Sequence, residues 1–248
     1  WTDVMQGIVM VIGVIIMLPL AISQSGGLEN TTKLMAKMTP PRISDPDKGG
    51  ITLTLAEPAP ETMRIESGTW ITDTPIDDNK TPLLFRVTVE NEIAKGETTV
   101  NEVKVLQLTT LDDIERILAR RESEKFLDDV SVSNIDLKSY AYGEEGSQQG
   151  TYVVGPGPSP GSDSGFLPLS LAISFFFMWA ISGTGQPANM VRLMAFRDTK
   201  TLQRSICTVA IYYTLIYFPL VVIFCCARVL LPGMEGDSDR IMPAMAVY

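Results

Sequence analysis

Three stretches of this chain, Val4–Ile22, Phe166–Val191 and Ser205–Ala227, contain no Asp, Glu, Lys or Arg. Each is long enough, at about 1.5 Å of rise per helical residue, to cross a hydrocarbon layer roughly 30 Å thick. The first expectation is therefore three membrane-crossing helices. The overall composition conceals this pattern, because 45% hydrophobic and 20% charged residues would suit an ordinary globular protein. The first block is long enough to pass for a signal peptide. It lacks a basic leading region and opens with Trp1-Thr2-Asp3, so it reads as a span. The chain starts at a helix without a methionine and stops at Tyr248, soon after Pro243, so both ends read as cut.

Charge is distributed as unevenly as hydropathy. Ser25–Gly165 holds 24 of the 29 acidic residues and 14 of the 20 basic ones, a net of −10. That surface argues against a nucleic-acid partner, since phosphates need a basic face. The chain has no histidine, which excludes a Ser-His-Asp triad, an HExxH zinc site and a His-activated cysteine. Cys207, Cys225 and Cys226 all fall in the last apolar block, so the polar region has no disulfide and the thiols read as packing residues.

The connection between the second and third blocks carries Arg192, Arg197, Lys200 and Arg204 against a single acid, Asp198. By the positive-inside rule it is cytoplasmic. Alternation then puts residues 25–165 on the other side, together with the acidic stretch containing Glu235, Asp237 and Asp239.

Within the long polar region, Ile51–Glu57, Pro82–Glu92, Val100–Leu108 and Val130–Tyr142 are rich in β-branched and aromatic residues and read as strands. Thr110-Leu111-Asp112-Asp113 has capping-box spacing ahead of Ile114, Ile117 and Leu118. A helix of about four turns ending near Phe126 is expected. Residues 50–143 then form a small α+β domain. The run from Gly155 to Gly165, rich in Gly and Pro, ties it to the second span as a semi-stiff linker.

Few residues here can carry chemistry. No Gly-rich loop ends in Lys-Ser or Lys-Thr, so nothing points to nucleotide hydrolysis. Ser162-Asp163-Ser164-Gly165 lies in the linker and, without a histidine, is not a protease site. Asn30-Thr31-Thr32 and Asn79-Lys80-Thr81 fit the glycosylation pattern only for a eukaryotic secretory protein. In the second span, Phe175-Phe176-Phe177-Met178-Trp179 runs into Ser182-Gly183-Thr184-Gly185-Gln186-Pro187, a sequence suited to disturbing a helix. Pro187 has no N–H for the carbonyl of Gly183. The polar side chains of Ser182, Thr184, Gln186 and Asn189 lie close by in sequence. Irregular backbone at membrane depth lines a cavity or packs in protein, so this stretch is either part of a solute path or a kinked helix bonded to its neighbours. Asp3, with Gln6 three residues on, is either a helix N-cap pair or an intramembrane carboxylate. Tyr212, Tyr213, Tyr217, Phe218 and Pro219 read as an aromatic packing cluster at a kink.

Trp1-Thr2-Asp3-Val4-Met5-Gln6-Gly7, followed at a distance by Gly185-Gln186-Pro187-Ala188-Asn189-Met190-Val191-Arg192-Leu193-Met194-Ala195, resembles the sodium/solute symporter family, which includes proline and pantothenate permeases and sodium/glucose cotransporters. The likeness covers Trp1 to about Ser25 and about Phe166 to Tyr248, and leaves out the insertion between them. It implies an α-helical polytopic membrane protein of inverted-repeat, leucine-transporter-like fold, with this chain supplying core helices 5 (residues 1–24), 6 (166–191) and 7 (205–231). Residues 192–204 would be a cytoplasmic loop, 25–165 an extracytoplasmic α+β insertion, and 232–248 an extracytoplasmic segment leading to the next helix. By the same likeness Asp3 lies on the sodium pathway; the candidate solute-path residues are those of the disturbed helix, Trp179, Ser182, Gly183, Thr184, Gln186 and Asn189.

The expected activity is sodium-coupled symport of a small organic solute across a cell membrane. This is binding chemistry rather than catalysis, with sodium as the coupling ion and no cofactor. Lipid and the remaining helices of a longer transporter are the expected partners. The alternatives are a solute sensor built on a symporter-like membrane domain, and a transporter whose insertion is an external binding or assembly module.

Overall fold

The computed structural model describes residues 2–45, 49–73, 82–139, 149–159 and 164–247. Helix α1 (Thr2–Gln24) is followed by α2 (Leu28–Lys37). Eight strands come next: β1 (Arg42–Ile43), β2 (Gly50–Leu55), β3 (Met63–Ile65), β4 (Trp70–Thr72), β5 (Leu84–Val87), β6 (Asn91–Ile93), β7 (Thr99–Val103) and β8 (Val105–Gln107). Helix α3 (Leu111–Ala119) leads to β9 (Phe126–Leu127), β10 (Val130–Asp136) and β11 (Lys138–Ser139). The chain ends with α4 (Leu169–Gly185), α5 (Pro187–Met194), α6 (Thr199–Leu230), a 3₁₀ turn and α7 (Ile241–Val247).

These elements form two compact units, one of Trp1–Thr32 and Leu167–Ala227, the other of Lys33–Phe166 and Arg228–Tyr248. The polar unit is built on three sheets, in the orders β11-β1-β8-β5-β4-β9, β10-β2-β7 and β3-β6. Among the described residues the pairings are antiparallel except β4 with β9, where Trp70 stands beside Phe126. One core cluster gathers Ile51, Leu53, Ile71, Phe85, Ile93 and Val103. A second joins α3, through Ile114 and Ile117, to Trp70, Leu84 and Leu106.

The expected α-helical polytopic membrane fold of inverted-repeat type is not what this chain forms. It is a mixed α/β protein in which, among the described residues, only α1 and α6 are long and apolar enough to cross a membrane, with mean hydropathy of 2.5 and 2.2. The third apolar block fails for a local reason. Pro187 pushes Gln186 into an extended conformation (φ −70°, ψ 122°), so α4 stops after 17 residues. That is about 25 Å of helix, short of the roughly 30 Å a span requires.

Smaller differences have equally specific causes. The helix after Thr110 runs for 9 residues, not four turns, and Phe126 is drawn instead into β9. Thr110 makes no side-chain cap, because its hydroxyl accepts the Thr39 N–H at 3.0 Å. Pro82–Glu92 and Val100–Leu108 each divide into two strands, and Glu102, with φ of 55°, precedes the second break. Near the expected linker the chain folds back, with the Phe166 N–H donating to the Gly157 carbonyl at 2.9 Å. Residues 140–142 of the last predicted strand, Asn79-Lys80-Thr81 and Ser162-Asp163 lie outside the described residues.

Candidate functional site

In the apolar unit, α1 and α6 touch at two places. A Cβ built on Gly7 would lie 2.9 Å from the Tyr212 hydroxyl oxygen. Beyond the end of α1, the Ser25 hydroxyl donates to Cys226 Sγ at 3.6 Å, and the Thr31 hydroxyl donates to Ser25 Oγ at 2.8 Å. The contacts advance in the same direction along both helices, so α1 and α6 run parallel. The face of α1 that turns inward is a stripe of Gly7, Val11, Val14, Leu18 and Ala21, spaced alternately by four and three residues. Between the N-terminal halves of the two helices lies a groove of about 610 Å³ lined by Val4, Gly7, Ile8, Val11, Ile12, Thr208 and Tyr212.

The start of α6 is fixed by Asp198, whose Oδ1 accepts the Thr201 N–H at 2.6 Å. This is N-cap geometry, and the hydrogen bond holds the Asp198 carboxyl below its ordinary value. The outward faces of the helices are apolar and uncovered: Val9 is 63% exposed and Phe218 69%.

The sequence singled out Trp179, Ser182, Gly183, Thr184, Gln186 and Asn189, and the structure gathers them around the junction of α4 and α5. Trp179 is 72% exposed, and Ser182 and Gln186 are also exposed. The Gln186 N–H closes on the Ser182 carbonyl at 3.2 Å, and the Gln186 carbonyl accepts the Met190 N–H at 3.1 Å, which begins the next helix. Pro187 occupies the first position of α5, where its missing N–H costs nothing. The predicted kink is thus a complete break. Gly183 and Thr184 fall in the last turn of α4 and Asn189 in the first turn of α5, while Asp3 falls in the first turn of α1. The side chains of Asp3, Thr184, Asn189 and Arg192 lie outside the described residues. Helices α4 and α5 adjoin at this break. Asp3 is therefore on a different element from the rest of the candidate set. Among the described residues there is no cluster of three or more Cys, Asp or Glu side chains that could hold a metal ion.

Residues 228–248 reveal contacts with no sequence signal. The last carbonyls of a helix have no partner within it. The last turn of α6 belongs to the polar unit, and there arginines meet them: Arg116 donates to Val229 O, and Arg120 donates to Leu230 O at 3.1 Å. Cations at this end also oppose the helix dipole. Beyond it, Arg86 donates to Gly233 O at 2.7 Å and lies over the Trp70 ring. Gly233 has φ of +83°, and a Cβ there would stand 2.7 Å from Trp70.

Compared with family models, curated proteins and solved structures, the chain matches none. The fold and the candidate residues define a class only: a mixed α/β chain in which two helices are long and apolar enough to cross a membrane and a further apolar helix is broken at a proline.

Proposed function

We propose that this chain belongs to a sodium-coupled transporter that carries a small organic solute across a cell membrane, with Asp3 on the sodium pathway and the α4–α5 break beside the solute path. The observation that carries the reading is the parallel pair α1 and α6, uncovered on its apolar outer faces and accompanied by an interrupted apolar helix. The basic residues Arg197, Lys200 and Arg204 near the start of α6 put the N-terminal ends of both spans in the cytoplasm. Residues 25–165 then lie outside it. Broken helices at membrane depth expose backbone groups that bind ions and solutes. The motifs Trp1–Gly7 and Gly185–Ala195 supply the resemblance to sodium/solute symporters and thereby name the coupling ion. The uncovered helix faces would meet lipid or the remaining helices of a longer transporter.

The test is reconstitution of the protein in liposomes, with currents driven by a sodium gradient recorded across amino acids, sugars, carboxylates and pantothenate. A solute-dependent current that disappears without sodium is expected, and tight solute binding with no current under any gradient would replace transport by sensing. Asp3→Asn should lower the sodium-dependent current at least ~10-fold, because an intramembrane carboxylate is rarely kept without a role. Unchanged sodium dependence in that variant would remove Asp3 from the pathway.

A further inference from the structure

The groove between the N-terminal halves of α1 and α6 holds about 610 Å³. Val4, Ile8, Val11 and Ile12 form one wall, Thr208 and Tyr212 the other, and Gly7 leaves the room into which the Tyr212 ring reaches. From Val4 to Ile12 a helix rises about 12 Å, so the groove averages roughly 50 Å² in cross-section. A helix about 10–12 Å across needs roughly twice that, and a neighbouring helix would rest on the rim without filling the space. Left unfilled, the groove forfeits dispersion contacts along both walls, which flexible hydrocarbon chains can restore.

The mouth of this groove is basic. Thr208 lines the groove, and its hydroxyl donates to the Arg204 carbonyl one turn earlier at 2.9 Å. Arg204 and then Lys200 precede Thr208 at four-residue steps, which keeps all three on nearly one face of α6. Helical side chains lean toward the N-terminus, so the two cations extend beyond the apolar walls. Both are exposed, and neither forms an ion pair among the described residues. With Arg197, Asp198 and Asp3 included, three cations stand against two acids, and the Asp198 carboxylate is engaged by the Thr201 N–H.

We propose that the groove holds an anionic phospholipid of the cytoplasmic leaflet, its acyl chains lying along Val4–Ile12 and its phosphate met by Arg204 and Lys200. The site rests on the reading that α1 and α6 span a membrane with their N-terminal ends in the cytoplasm, and is independent of symport. A guanidinium meets a phosphate with paired N–H donors, and an ammonium meets it as a point charge. Each basic side chain near an anionic membrane surface strengthens binding about fivefold, so the two together favour an anionic over a zwitterionic lipid about 30-fold.

Flotation with vesicles of dioleoyl phosphatidylglycerol and dioleoyl phosphatidylcholine comes first: protein that stays at the bottom of the gradient removes the membrane reading and the site with it. Protein that floats is then extracted in detergent with an equimolar mixture of the two lipids, and native mass spectrometry counts the lipid each chain keeps. One phosphatidylglycerol per chain is expected, at a preference of about 30-fold. Lys200→Gln combined with Arg204→Gln should bring the two lipids to about equal retention, and Ile8→Trp, which fills the groove, should release both. Equal retention by the unaltered protein would overturn the site while leaving the spans in place. A preference that survives the double substitution, lipid still held by Ile8→Trp, or paired chains carrying no lipid would overturn it as well.

Discussion

Phe85 and Phe218 are the same residue in two different settings. In the polar unit Phe85 is 0% exposed, whereas Phe218 on α6 is 69% exposed. The polar unit gathers its large apolar side chains into cores of its own, beneath sheets whose backbone groups are paired. The apolar unit turns most of its side chains outward and holds α1 to α6 through a narrow stripe and a few polar contacts. The first unit carries its own hydrophobic interior. The second leaves its apolar side chains exposed, which in water is unfavourable and in lipid is not.

The most severe challenge to this contrast is Phe85→Ala, which should destabilise the polar unit by about 3–5 kcal/mol through lost burial and the cavity left behind. Phe218→Ala should cost less than ~1 kcal/mol in the same detergent, since its surroundings can close around the gap. Urea unfolding followed by Trp70 emission measures both, and equal costs would break the comparison. A pH effect comes next. The folded Asp113 carboxyl sits near 6 against an ordinary value of 3.8, so folding favours its protonated form. Its contribution is therefore lost as pH rises: stability should fall by about 2–3 kcal/mol from pH 4 to 7 and be level above that. Urea midpoints for the protein and for Asp113→Asn, in which the slope should vanish, would show it. Gly233→Ala should cost about 1–2 kcal/mol, because it needs a positive φ and a Cβ in the space of Trp70. The smallest effect is expected from Arg64→Ala, which breaks an exposed ion pair with Glu90 and should cost under ~1 kcal/mol in the same unfolding assay.

The parts of the fold that the sequence made legible depend on near neighbours. The apolar runs of α1 and α6 are readable because hydropathy is a sum over adjacent residues. The alternation in Ile51–Glu57 is readable because side chains along a strand point to opposite faces, and β2 occupies most of that stretch. At Gln186-Pro187 the disturbance was legible but its extent was not, since a proline can kink a helix or end it depending on whether the freed carbonyls find partners. The expected polytopic helical architecture went astray by weighing three charge-free blocks alike. Only two of them are continuous helices of sufficient length.

The candidate residues divide in the same manner. Trp179, Ser182 and Gln186 are neighbours in sequence, so their gathering at the α4–α5 junction needed no long-range contact. Gly7 with Tyr212, and Arg116 with the Val229 carbonyl, are each separated by more than a hundred residues. No local spacing announces such pairs. Thr110 shows the conflict directly: its spacing to Asp113 suits a helix cap, yet the hydroxyl is taken by Thr39 from far upstream.

By itself, the sequence determined which segments avoid water, where charge collects, which chemistries a chain without histidine is denied, and that the helix around Pro187 is disturbed. These follow from side-chain solvation and backbone sterics, which act within a few residues. The tertiary structure alone decided that α1 and α6 run parallel, that Arg116 and Arg120 meet the last carbonyls of α6, and that Gly233 packs against Trp70. Such outcomes depend on which distant surfaces can pack and pair once the chain has collapsed, and local sequence does not encode that choice.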